Sequence, residues 1–348
     1  MQKYITVLLV FLCTLSNSHA DWNWSFDEMS GRLVSCLPDG DVEKYMDDYT
    51  CFLGLRERCL QNASLQKQIA KMKASAKELI LCSKEGVILK KRRNNHIHEL
   101  FAWEISTLLG VDSCIVPSFP IEIGGKVVIM QKLESFAIGE ERTNIPAKSI
   151  LKNVSLDNYW KAHFQAYLLG IKDLLGRNIG VNDAGEIRLF DMEACFRYQN
   201  RPEKSKGVFH TGFFMQSLGW PHYRQPLDAE AVFSLQQFIA ALDRLEENIK
   251  LYLMYRPVSL NMKCLLYRLG KIRSFSLQEG RTFCDFYSFL FPRVSSGLDL
   301  LSQIVSKALK KQVDHADALL FIQKSYDNKK IPDQSVKEIK KWIDRYVD

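Results

Sequence analysis

The sequence predicts an α+β protein in which a small strand-rich part precedes a larger helical part. Between residues 73 and 133, short apolar runs alternate with glycine-containing turns, as in antiparallel hairpins. After residue 156, apolar side chains recur every three or four positions, as on amphipathic helices. With 348 residues, 47% hydrophobic and 25% charged, the chain has the composition of a globular protein and the length for two lobes.

The first twenty residues have the pattern of a secretory signal peptide. A lysine precedes an apolar run that ends in small side chains at Ser18 and Ala20. The run is well short of the roughly 20 residues that a transmembrane helix needs, which favours cleavage over an uncleaved anchor. We therefore expect residues 1–20 to be removed, leaving a mature chain from Asp21 without a transmembrane segment. Its expected location is secreted or exported: a periplasm, the extracellular space or the lumen of a secretory pathway.

Residues 21–64 are interpreted as a cysteine-containing N-terminal extension that packs on the main fold, because no hydrophobic period is sustained there. The whole chain has nine cysteines, one of them in the leader, so an even number remains after cleavage. An even count in an exported chain permits disulfides, although the connectivity stays open. Cys36, Cys51 and Cys59 are close in sequence and are the ones we expect to be bridged.

Residues 65–133 are predicted to form the strand-rich part. A short helix over 63–76 leads into it, and two strands then flank a turn at 83–86. A helix capped by Asn94 or Asn95 follows, and a second hairpin turns at Gly-Gly within 121–133. The apolar stripe of the helix consists of Ile97, Phe101, Ile105 and Leu108.

Residues 134–348 are predicted to form the helical part. Its first helix covers residues 156–171, and Asp228 caps a long amphipathic helix. Residues 196–225 are interpreted as an activation or substrate segment, whose His210 and His222 either contact substrate or pack. Further helices are predicted around 260–269, 278–290 and 298–309 and from Ser335.

Between the strand-rich and helical patterns lies the one segment that indicates chemistry, GIKDLLGRNIGVNDAGEIRLFDMEAC (170–195). Apolar residues alternate on both sides of a turn at 182–185, which predicts a hairpin. Folding the hairpin brings Asn178 and Asp191 to its open end, with Asp173 one loop turn away. Such hard oxygen ligands suit Mg²⁺. An ordinary surface hairpin with solvated acids is the alternative.

The spacing of these three residues resembles the phosphoryl-transfer site of the protein-kinase-like superfamily. The segment LLGIKDLLGRNIGVNDAGEIRLFD is most similar to the phosphatidylinositol 3-/4-kinase branch and its atypical relatives, such as actin-fragmin kinase. The resemblance implies a bilobal kinase-like fold, with a β-rich N-lobe and a larger helical C-lobe. It also implies ATP with Mg²⁺ or Mn²⁺ as cofactors, Asp173 as the catalytic residue, and Asn178 and Asp191 as metal ligands.

The same resemblance implies an ion pair in the N-lobe. The strand VILK would present Lys90 to the ATP phosphates, and Glu99 of the following helix would orient that lysine. Glu104 is the competing choice, and a solvent-facing Glu99 is the alternative. The basic run 90–93 could also be a solvated turn or a nucleic-acid patch. An export signal argues against a nuclear role, so no nucleic-acid partner is predicted.

Three further residues of the N-lobe are implied to contact the nucleotide. The segment around Ser75 resembles the phosphate loop of lipid kinases, which is not glycine-rich. Backbone groups near Gln131 to Leu133, at the exit of the second hairpin, would hydrogen-bond adenine as the hinge.

The chain also departs from the family pattern. Asp191 is followed by Met192 and Glu193 where kinases have Phe-Gly, and the Arg or His that commonly neighbours the catalytic Asp is replaced by Lys172 on one side and Leu174 and Leu175 on the other. Two functions therefore stay open. One is an exported kinase that moves the ATP γ-phosphate to a hydroxyl of a protein or phosphoinositide-type lipid. The other is a pseudokinase that acts as a nucleotide-binding or protein-interaction scaffold.

Overall fold

The computed structural model describes residues 39–71, 78–82, 84, 86–91, 96–108, 114–123, 126–132, 137–138, 153–171, 178–192, 195, 221–255 and 262–292, and positions 302, 303, 306, 310, 312 and 318. The predicted signal peptide, the C-terminal helix and most of 196–225 lie outside these residues. Within them, helices and small antiparallel sheets occur together, so the α+β class is confirmed. None of the helices described is both long and apolar enough to cross a membrane.

The chain divides into two compact units, and neither is continuous in sequence. The first comprises Met1–Ala137, Gly180–Phe196 and Gln237–Asn261, and the second comprises Ile138–Ile179, Arg197–Gln236 and Met262–Asp348.

The first two helices that the structure describes in the first unit are α1 (Asp39–Gln61) and α2 (Ala63–Lys71). The sequence did not predict α1, because it lies in a polar segment. Among the α1 side chains that are described, Phe52, Leu55 and Cys59 are buried, spaced three and four residues apart along one helix face. The extension therefore packs on the strand-rich part, where the ring of Phe52 lies 4.0 Å from that of Phe119.

A four-stranded antiparallel sheet and one helix complete the strand-rich part of this unit. Both predicted hairpins are present: β1 (Glu78–Cys82) with β2 (Val87–Lys91), and β3 (Ser118–Ile123) with β4 (Lys126–Lys132). Helix α3 (His96–Leu108) lies between them in sequence. The strand order is β1-β2-β4-β3, so β4 is an inner strand beside β2. Lys90 is paired with Ile129, which places Lys90, Ile129 and Gln131 on one face of the sheet.

The central hairpin is formed as predicted. Strands β6 (Ile179–Val181) and β7 (Ile187–Leu189) are neighbours in a second sheet, whose other strand is β5 (Ala137–Ile138). The Asn182 amide closes the turn, because its Oδ1 accepts from the Glu186 N–H at 2.8 Å. The turn residues therefore set the register that carries the chain on to Asp191.

The second unit is helical and packs around aromatic side chains. Its helices are α4 (Leu156–Leu169), the start of α5 (Ala229–Tyr255), α6 (Met262–Ser274) and α7 (Phe283–Leu290). Asp228 caps α5 as predicted, accepting from the Ala231 N–H at 2.8 Å. Helix α7 begins later than predicted because Thr282 and Asp285 form a capping box. Buried rings fill the space between helices: Tyr159, Trp160, Phe164, Phe275, Phe283 and Phe286.

Gly170 ends α4 just before the segment that contains Asp173. Its φ of 63° is left-handed, and its N–H reaches the carbonyls of Ala166 and Tyr167. A side chain at this position would overlap the guanidinium of Arg268, which is 4% exposed and donates to the Leu168 carbonyl at 3.3 Å. Both the left-handed backbone and the nearby Arg268 therefore favour glycine at position 170, the first residue of the central segment.

We expect Gly170→Ala to lower the free energy of unfolding by about 2.5–5 kcal/mol. The left-handed backbone costs about 1–2 kcal/mol, and displacing a buried charged hydrogen bond costs about 1.5–3 kcal/mol. Urea denaturation measures the loss. Gly280→Ala is the matched control, since Gly280 has a φ of 80° and nothing within 4 Å of an added Cβ. An equal loss for both variants would mean that Arg268 is not the obstacle.

Candidate functional site

A buried ion pair joins the inner part of the first sheet to helix α3. Lys90 Nζ lies 3.1 Å from Glu99 Oε2, and the two side chains are 5% and 1% exposed. Glu99 lies in the first turn of α3, where the helix dipole favours a carboxylate. Because its side chain is buried, Glu99 is not solvent-facing. Glu104 is also buried, but the ion pair with Lys90 is made by Glu99.

Such a pair calls for an explanation beyond stability. Removing two charges from water costs several kcal/mol per ion, and replacing a buried pair by apolar residues is often neutral or stabilising. A buried ionisable group that is held against a specific charge partner is a candidate for a functional role. The Lys90–Glu99 pair is thus the first reason to regard this face of the sheet as a site.

The side chain of Gln131 holds the pair from the neighbouring strand. Its Nε2 donates to Glu99 Oε2 at 3.0 Å and to Ser118 Oγ at 2.6 Å. Ser118 in turn donates its hydroxyl to the Val116 carbonyl at 3.1 Å. All three polar side chains of this chain of bonds are buried, with Gln131 at 2% and Ser118 at 0% exposure.

The same network reaches the hairpin that carries Asp191. The Val116 N–H donates to the Leu189 carbonyl at 3.2 Å, and the Leu189 N–H donates to the Cys114 carbonyl at 2.7 Å. The Cys195 thiol, four residues after Asp191, lies 2.6 Å from the Met192 carbonyl and 3.3 Å from the His98 carbonyl. The segment on both sides of Asp191 therefore contacts the part of the chain that holds Lys90 and Glu99.

Asp191 has an unusual backbone. Its φ is 64°, in the left-handed region that residues other than glycine rarely adopt. Such residues persist only where the surrounding structure holds them, and they are concentrated at active sites and ligand clamps. The half-buried carboxylate of Asp191 is thus carried by a strained residue between two anchored neighbours, Leu189 and Cys195.

Asn178 is 3% exposed and directly precedes β6. An amide and a carboxylate oxygen are ligands that suit Mg²⁺ or Mn²⁺, so the chemistry of Asn178 and Asp191 fits the metal implied by the resemblance. Among the residues with a described position, no group of three or more His, Cys, Asp or Glu side chains could hold a metal ion. Asp173, Ser75 and Leu133 lie outside the described residues.

Sequence reasoning missed two features of this site. It assigned only the backbone of Gln131, whereas the structure brings its side chain to Glu99, and it did not single out Ser118. A signal for Gln131 was present, because it is the polar residue that follows the apolar run Val127–Met130 and lies on the Lys90 face. Ser118 gave no such signal, since its role depends on its pairing with Gln131 across β3 and β4.

Two further sequence predictions concern His222 and the cysteines. His222 is buried, its Nε2 lies 2.8 Å from the Val154 carbonyl, and its ring stacks on Tyr159. Burial lowers its pKa, which fits a packed, neutral ring. Among the described cysteines, none is joined to another by a disulfide, and Cys36 lies outside that set.

Comparison of the sequence with models of known protein families found no match, and no curated protein proved similar to it.

Proposed function

We propose that the protein is an exported, kinase-like phosphotransferase that uses ATP with Mg²⁺ or Mn²⁺. The observation that carries this proposal is the buried pair of Lys90 and Glu99. In kinases, a strand lysine holds the ATP phosphates and a glutamate of the next helix orients it. The chain presents the same residue types on a strand and on the helix that follows it, and it buries both.

The order of elements around the pair supports the bilobal kinase-like fold. A hairpin that carries the lysine, a helix that carries the glutamate and a second hairpin follow one another, and β4 lies beside the lysine strand. The chain then leaves β4 at Lys132, so the proposed hinge with Leu133 follows the strand that holds Gln131. Ser75 precedes the first strand and is proposed to meet the phosphates.

The reaction would move the γ-phosphoryl group from ATP to a hydroxyl oxygen of the acceptor, with ADP as the leaving group. Asp173 accepts the hydroxyl proton as the new phosphorus–oxygen bond forms. Lys90, oriented by Glu99, neutralises charge on the phosphates. Asn178 and Asp191 are the proposed metal ligands, and the bound metal adds further neutralisation. Catalysis of this kind rests on positioning and charge, which is what the buried groups supply.

The acceptor class is a hydroxyl of a protein or of a phosphoinositide-type lipid. The full chain has a formal net charge of +7, and loss of Lys3 with the leader leaves +6, which would assist contact with acidic proteins and anionic membranes alike. The proposed export through residues 1–20 places this acceptor outside the cytosol of the producing cell.

The test uses the purified chain from Asp21 onward. We expect ATP with Mg²⁺ or Mn²⁺ to raise its melting temperature, because a ligand that binds the native state stabilises it, and we expect chelation of the metal to remove the shift. Incubation with radiolabelled ATP and a mixed extract then reveals label in either the protein or the lipid fraction. No thermal shift with either metal would contradict the proposal. A shift without transfer would identify the pseudokinase scaffold instead.

A further inference from the structure

We propose that Gln131 is a positioning residue that holds Glu99 in place for Lys90. This inference rests on the proposed function for its significance, but the contact it concerns can be tested without nucleotide. The amide of Gln131 meets Glu99 on one side and Ser118 on the other. It lies on inner strand β4, between the lysine strand β2 and strand β3.

The direction of every hydrogen bond in this cluster follows from the chemistry of its members. An ionised carboxylate only accepts, so the Gln131 amide must present nitrogen, not oxygen, to Glu99. The Ser118 hydroxyl hydrogen is directed to the Val116 carbonyl, so Ser118 Oγ accepts from the second N–H of the same amide. Both hydrogens of one NH₂ group are thereby used, and the orientation of the amide is determined.

This arrangement gives Glu99 a second donor besides Lys90. With Lys90 alone, a buried carboxylate on a helix could rotate with its partner and keep the ion pair in several positions. The Gln131 amide fixes Glu99 Oε2 to the sheet, because Gln131 itself is anchored to Ser118 on the next strand. Lys90 is thus directed by a carboxylate whose position is set by β3 and β4 as well as by α3.

Substitution of Gln131 by Met tests the role, since Met keeps the length of the side chain and removes both donors. Amine labelling followed by peptide mapping reports directly on Lys90, with exposed Lys132 as the internal reference. We expect the Lys90-to-Lys132 labelling ratio to rise by about 10-fold to 150-fold in Gln131→Met, which corresponds to the loss of one charged hydrogen bond. An unchanged ratio would overturn the proposal.

Val128→Ala separates this effect from a general loss of stability. Val128 is buried in the same strand but on the opposite face from Gln131, so its truncation loosens packing without touching the cluster. We expect it to lower the melting temperature and leave the labelling ratio as in the wild type. A ratio that rises equally in Val128→Ala would also overturn the proposal, because labelling would then follow unfolding.

A nucleotide arm distinguishes this inference from the proposed function. If the wild type binds ATP, we expect Gln131→Met to weaken binding by up to about 150-fold, the loss of one charged hydrogen bond, and Val128→Ala to leave it unchanged. A rise in Lys90 labelling in a protein that binds no ATP would refute the kinase proposal and keep the role of Gln131. If the wild type binds ATP but Gln131→Met leaves Lys90 labelling unchanged, the kinase proposal is kept and the role of Gln131 is refuted.

Discussion

Replacing Asp191 by Asn is expected to abolish metal-dependent ATP binding and turnover together, whereas Asp173→Asn should abolish turnover alone. The proposed roles differ: Asp191 holds the metal on the phosphates, and Asp173 receives the proton of the acceptor hydroxyl. Loss of a metal-binding carboxylate removes charge neutralisation both in the bound state and in the transition state. Loss of the proton acceptor leaves the bound state intact, with turnover reduced by about 100-fold to 10,000-fold.

Calorimetric titration of ATP with and without Mg²⁺, alongside a transfer assay, measures the two effects separately. Asp183→Asn is the matched control, because it makes the same chemical change at an exposed residue in the turn of the same hairpin. It should behave as the wild type. If neither Asp191→Asn nor Asp173→Asn alters binding or turnover in an active preparation, the central hairpin is not the active site and the kinase assignment fails.

Replacing Lys90 by Met is expected to reduce phosphate transfer by about 100-fold to 1,000-fold, the usual effect of removing a preorganised group that stabilises transition-state charge. The substitution removes the cation that Glu99 orients at 3.1 Å. It also leaves a buried carboxylate without that cation, which costs about 3–5 kcal/mol of stability. Activity is therefore to be measured at a temperature where the melting curve shows the variant to be folded.

Lys84→Met provides the comparison, since Lys84 lies in the turn between β1 and β2 and is exposed. It removes the same charge from the same hairpin and should change transfer less than twofold if field effects from exposed charges are weak. Equal losses at both lysines, or at Lys91, Arg92 and Arg93, would mean that the basic residues act as a diffuse patch. In that case Lys90 has no specific role in holding phosphate.

The two hairpins of the first sheet and the central hairpin were predictable because their determinants are local. Glycine-containing turns and period-two apolar runs specify such elements over ten to twenty residues, regardless of the rest of the chain. The cap at Asp228 is equally local, since it satisfies a backbone group within one helical turn. Helix α1 was missed because it lies in a polar stretch where no hydrophobic period is sustained.

The contacts between polar side chains could not be predicted from such local patterns. The sequence offered Glu99 and Glu104 for the same role and placed Glu99 off the apolar stripe of its helix. Both glutamates are buried, and only the packing of α3 against the sheet decided that Glu99 meets Lys90. The resemblance anticipated the pair, but the residues themselves left the choice open.

The α+β class, the hairpins and most of the described helices follow from sequence patterns alone, as does the choice of hard-oxygen residues in the central segment. The burial of Lys90, the contacts of Gln131 and Ser118 and the left-handed backbone of Asp191 depend on how the elements pack. Local rules act through neighbouring backbone groups, whereas a buried polar cluster needs partners from several distant segments. Lys90, Glu99, Ser118 and Gln131 come from four elements, and the cost of burying each is offset only when all four are packed together.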